Sequence, residues 1–129
     1  MEKRHVPSLE LCQELDRLCK EKGIVVPETE YSWYKNDVGG DWELIFRNPY
    51  HGCITAPLVS EQGEWLPNER RDKLAFFSGL AINGWFCEVK NYRVMPYERF
   101  HVILQEYTEA NARQKMINYL IAEGIITTL

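Results

Sequence analysis

A chain of 129 residues, 45% apolar and 26% charged, has the balance of one ordinary globular domain, able to bury roughly two-thirds of the surface its unfolded form exposes. That balance is neither that of a disordered chain nor that of a membrane-embedded one, and no run reaches the 18 or so apolar residues of a membrane span. The net charge of −4 is concentrated between residues 28 and 64, where seven carboxylates face only Lys35 and Arg47, and this field opposes a phosphate backbone.

The start of the chain, Met1 to His5, carries charge with no apolar stretch behind it, unlike a secretory signal. The reading is a cytoplasmic protein whose four cysteines (Cys12, Cys19, Cys53, Cys87) stay reduced, since a core of this size needs no disulfides. A helix is predicted over 9–22. Ser8 stands as its N-cap, Leu11, Cys12, Leu15, Leu18 and Cys19 recur at three- and four-residue spacing, and Gly23-Ile24 ends it in a left-handed turn.

Two aromatic strands follow, with Tyr31, Trp33 and Lys35 alternating in one and Trp42, Leu44 and Phe46 in the other, joined by Asn36-Asp37-Val38-Gly39-Gly40. Trp33 and Trp42 are expected to share the inner face. That sends Tyr34 and Ile45 outward, and this pair is the candidate partner-binding site. Residues 56–67 can hold a short helix, weakened at Gln62-Gly63.

Strands are predicted at 74–82 and 85–92 around a two-residue Asn83-Gly84 turn. A further strand at 100–106 leads into a helix over 109–123. Thr108 is its N-cap; Ala112, Met116, Tyr119 and Leu120 are its inner stripe, widened by Ile117 and Ile121; Glu109 and Arg113 form an i,i+4 pair; and Gly124-Ile125 ends it. The fold class is therefore α+β. Residues 1–129 form one domain, an antiparallel sheet of about five strands packed by the N-terminal and C-terminal helices.

Residues 109–126, from Glu109-Ala110-Asn111 through Tyr119-Leu120-Ile121 to Gly124-Ile125-Ile126, resemble the C-terminal helix of small uncharacterised proteins encoded by bacteriophages and prophages of gut bacteria. Ala56-Pro57 followed by the run to Trp65-Leu66-Pro67 is similar to another recurrent piece of theirs. The resemblance implies origin and fold, and brings no catalytic or binding residue with it.

Chemistry-bearing clusters are sparse. His51-Gly52-Cys53 is the most suggestive, but a zinc site there needs Cys87 and His101 as further ligands from strands, and an ordinary loop is the simpler reading. Cys12 and Cys19, seven residues apart on one helix, sit roughly 10 Å apart along its axis, too far for a disulfide or a shared metal. The sequence has no Gly-rich phosphate loop, Ser-centred elbow or zinc-helix motif. No catalytic residue, cofactor or metal is expected. The reading is a non-catalytic module that binds another protein, with a packaging accessory or an enzyme of dispersed site as alternatives.

Overall fold

The computed structural model describes residues 5–46, 52–67, 74–90 and 101–129. In chain order these form α1 (Leu9–Lys22), β1 (Tyr31–Lys35), β2 (Trp42–Phe46), β3 (Ile54–Ala56), α2 (Val59–Trp65), β4 (Ala75–Ala81), β5 (Gly84–Lys90), β6 (His101–Glu106) and α3 (Glu109–Ala122). The class is α+β in one domain, as the separation of strands from helices implied.

The predicted single sheet is corrected to two antiparallel sheets of three strands, ordered β2-β1-β3 and β4-β5-β6. β1 takes β2 on one edge and β3 on the other, with Tyr31 opposite Phe46 and Ala56 in turn. β3 thus fills the edge through which the first hairpin would have joined the later strands. It is three residues long, too short for an alternating pattern to reveal it.

The last helix organises the core. α1 and α3 run side by side in the same direction: the Ser8 N–H donates to Asn111 Oδ1 (2.7 Å) at one end, and Lys22 Nζ to the Ala122 carbonyl (3.3 Å) at the other. Both N-caps form as read. Ser8 Oγ accepts from the Leu11 N–H and Thr108 Oγ1 from the Asn111 N–H. Both helices close on left-handed glycines, Gly23 and Gly124, with the Ile24 N–H donating to the Cys19 carbonyl and the Ile125 N–H to that of Leu120.

α3 also packs on α2 and on the second sheet, so it is buried around most of its circumference and the one-sided stripe expected of it is corrected. Met116, Ile117, Leu120 and Ile121 are buried as read, whereas Tyr119 is 37% exposed and the polar Gln114 and Asn118 lie inside. Their amides are chained. Gln62 Nε2 of α2 donates to the Ala110 carbonyl and to Gln114 Oε1, Gln114 Nε2 to Asn118 Oδ1, and Asn118 Nδ2 to the Leu11 carbonyl of α1. This satisfies all but one of the buried amide atoms, Gln62 Oε1.

α2 runs through Gln62-Gly63, where the sequence reads as a weak point. A Cβ on Gly63 would lie 3.1 Å from Arg113 Nη1, so glycine there makes room for a guanidinium. The smaller core, Val6, Cys12, Trp33 and Ala56, lies between α1 and the first sheet. Trp33 Nε1 and Cys12 Sγ both donate to the Pro7 carbonyl inside it.

Candidate functional site

Period two divides the second sheet into two faces. On the helix side, Phe76 opposes Val89 and Val89 opposes Val102; Ser78, Cys87 and Leu104 form the next row, and Leu80, Trp85 and Glu106 the last. α3 covers this face, and Arg113 locks it. Its guanidinium, 5.1 Å above the Phe76 ring, donates to Ser78 Oγ, to the Val59 carbonyl and to Glu109 Oε2. Ser78 Oγ in turn donates to Glu109 Oε2 (2.7 Å). The hydroxyl is therefore committed as donor to a carboxylate and acceptor from a guanidinium, within a clamp that ties β4 to α3. The expected Glu109–Arg113 pair is present at 3.4 Å, as one edge of this clamp.

No described element packs on the opposite face. Phe77, Glu88 and Ile103 form one row there, and Gly79, Phe86 and Gln105 the next. Phe77 is 57% and Ile103 50% exposed, and the Phe77 and Phe86 rings lie 5.7 Å apart. A Cβ on Gly79 would meet both rings at 3.2 Å, so glycine lets them close over the strand. Charge runs through the patch, since Glu88 stands between Phe77 and Ile103. His101 Nε2 is 2.9 Å from Glu88 Oε2 and Lys90 Nζ 3.4 Å from Glu88 Oε1, and the His101 hydrogen bond, first among several causes, holds the Glu88 carboxyl below its ordinary range.

A cleft of about 600 Å³ opens beside the other end of the sheet. Trp85 and the 86% exposed Tyr107 form one wall, and the first turns of α2 and α3 form the other, with His5 at the rim. A smaller hollow of about 260 Å³ adjoins it across Trp85.

Tyr34 and Ile45 do lie on the face of the first sheet opposite Trp33 and Leu44, and both are half-buried. Ser32, on that same face, is only 1% exposed, so the face offers little open surface. His51 lies outside the described residues. Cys87 and His101 point to opposite faces of the second sheet, since Cys87 opposes Leu104 while His101 opposes Lys90, and they are not brought together with Cys53. Among the described residues no three His, Cys, Asp or Glu side chains converge as metal ligands.

The thiols Cys12, Cys19 and Cys87 are buried, in two different cores for Cys12 and Cys19. Burial pushes Cys12 and Cys87 up to about 12 and Cys19 up to about 11, leaving negligible thiolate at neutral pH. Among the described residues no helix is long and apolar enough to cross a membrane. No known family, characterised protein or solved structure matches this chain.

The sequence pointed away from the bare sheet face because both faces of β4 and β5 are apolar. Phe76 adjoins Phe77 and Trp85 adjoins Phe86, and a period of two cannot then tell inside from outside. The signal available was Glu88 and His101, whose charges mark the outer side.

Proposed function

We propose that this chain is a non-catalytic module that binds another protein through the bare face of its second sheet. One observation carries the reading: Phe77 and Ile103 stay exposed on a face where Phe86 packs on Phe77 and where Glu88, set between Phe77 and Ile103, pairs with His101 and Lys90, a mixed apolar and charged surface of the kind protein interfaces use. Tyr34 and Ile45, half-buried on the other sheet, are the weaker candidates for such a contact. The likeness of residues 109–126 to phage proteins directs the search for a partner to a bacterial host, with the cytoplasm as the place of encounter.

The test is affinity capture with the wild type and with a Phe77→Ser, Ile103→Thr double variant, followed by reconstitution of any captured pair from purified components. A partner that binds the wild type stoichiometrically and the double variant at least about tenfold more weakly, with the melting temperature nearly unchanged, supports the reading. A partner held equally by both places the interface elsewhere.

A second reading, a small-molecule site, is favoured by the cleft at Trp85 and Tyr107, whose volume falls in the range of ligand pockets. Quenching of Trp85 fluorescence by a ligand, abolished in Trp85→Phe while another tryptophan signal persists, would support it.

A further inference from the structure

A three-stranded open sheet has two free edges, and proteins blunt such edges with charge, proline, bulges or brevity. Of the four edge strands described, β3 is three residues long, β2 carries Glu43, and β6 carries His101 and Glu106. β4 has none of these devices. Its seven residues, Ala-Phe-Phe-Ser-Gly-Leu-Ala, hold no charge and no proline, and its register with β5 is unbroken from Ala75 to Ala81, without a bulge. Leu80 is 72% and Ile82 101% exposed at its end.

The hydrogen-bonding groups of β4 that no other described strand pairs can be assigned. Ala81 opposes Gly84 across a two-residue loop, Ile82-Asn83, so that pair exchanges hydrogen bonds within the hairpin and every second pair after it does likewise. The N–H and C=O groups of Ala75, Phe77, Gly79 and Ala81 thus face β5, and those of Phe76, Ser78 and Leu80 face outward.

We infer that this edge is the contact between two copies of the chain, which join by antiparallel pairing of β4 with β4 about a two-fold axis at Ser78, making one continuous six-stranded sheet with both α3 helices on the same side. The occupant is argued from self-complementarity. An axis at Ser78, the middle residue, is the one that pairs the strand along its whole length. It sets Ser78 opposite Ser78 and Phe76 opposite Leu80, all with outward-facing backbone groups, so these pairs exchange hydrogen bonds. It also sets the large Phe77 opposite Gly79 on the bare face and Ala75 opposite Ala81. The paired strands bring no charged side chain of their own to the contact, and the exposed Leu80 is covered by the partner's Phe76 on the helix side. The contact closes on itself, and the charged β6 edge on each outer side discourages further growth. This contact uses the edge of the sheet and leaves its bare face free, so it stands apart from the function proposed above.

Hydrogen exchange of the wild type, read residue by residue at rising concentration, tests it together with sedimentation equilibrium. The mass is expected to rise from 15.2 kDa toward twice that value, while the amides of Phe76, Ser78 and Leu80 slow by about tenfold or more and those of Phe77 and Gly79, already bonded within the sheet, change little. Leu80→Lys, which sets a charge against the partner's Phe76, is expected to remain monomeric. Ile82→Lys, in the turn beyond the paired strand, is expected to dimerise as the wild type does. A wild type monomeric throughout, a dimer with no change at Phe76, Ser78 and Leu80, a Leu80→Lys variant that dimerises normally, or open-ended fibrous association would each overturn the inference. If Leu80→Lys does not fold, the exchange pattern of the wild type decides alone.

Discussion

Gly84 shows how a correctly recognised residue can serve a different purpose from the one its type suggests. Asn83-Gly84 reads as the pair at the tip of a hairpin, yet the loop is Ile82-Asn83 and Gly84 is the first residue of β5. Its φ is 144°, and a Cβ there would lie 2.5 Å from the Glu106 carbonyl oxygen. Glycine is required because a neighbouring strand comes within backbone contact. Gly84→Ala is expected to cost on the order of 2–3 kcal/mol, measured by urea denaturation, because the obstructing atom belongs to the backbone and cannot swing aside.

The thiols give a second test at this scale. With Cys12, Cys19 and Cys87 buried and protonated, and Cys53 half-buried, a disulfide reagent at neutral pH is expected to modify Cys53 first. The other three should react only after denaturant is added. Rapid modification of Cys12 or Cys87 in the native protein would contradict the packing described.

At the scale of elements, helix ends were legible because each end is decided locally: Ser8 and Thr108 cap orphan N–H groups, and Gly23 and Gly124 accept a left-handed backbone. The inner surface of α3 was not legible. Which side of a helix is buried depends on how many neighbours it has, and Gln114 and Asn118 become interior only because α1 and α2 flank it. Gln114→Leu is expected to destabilise by about 1–3 kcal/mol, since it leaves Asn118 Oδ1 without its donor inside the protein and Gln62 Nε2 with one partner fewer. Asn118→Leu should be comparably costly, and the double variant less costly than the sum, because the two share one chain of bonds.

The outer rows of the second sheet carry a pH dependence. The Glu88 carboxyl is held low chiefly by His101, so its contribution is present above the carboxyl's unfolded pKa and is lost as pH falls through the folded one. His101→Ala is expected to raise the Glu88 midpoint toward that of an ordinary glutamate, followed by NMR of its carboxyl carbon. The same variant should lose less stability than the wild type on acidification.

For the molecule as a whole, separation of strands from helices was enough to give the class, and the partition into two sheets was hidden in β3, three residues with no period to read. The candidate face was hidden for a related reason: a sheet surface is bare or covered according to where α3 lies, and α3 comes last in sequence. The acidic segment of residues 28–64 contributes a long-range term. Binding to a generic DNA or RNA duplex is expected to be undetectable at micromolar protein in moderate salt, and salt-sensitive retention in a gel-shift assay would contradict the proposed partner class.

The position of α3 has a consequence for how the chain acquires its shape during synthesis. The helix against which α1, α2 and the second sheet all pack is translated after every one of them. Until Glu109–Ala122 has cleared the ribosome, the core around Leu15, Leu18 and Cys19 lacks Met116, Ile117, Leu120 and Ile121, and the helix-side face of β4–β6 stands open. The growing chain therefore carries these apolar surfaces uncovered until α3 is available, within reach of chaperones and proteases, and should gain resistance abruptly once it is. Nascent chains arrested at successive lengths and exposed briefly to protease are expected to stay sensitive until α3 has emerged entire, then become resistant in one step. Stepwise protection of the first sheet alone would show that it folds without the helix.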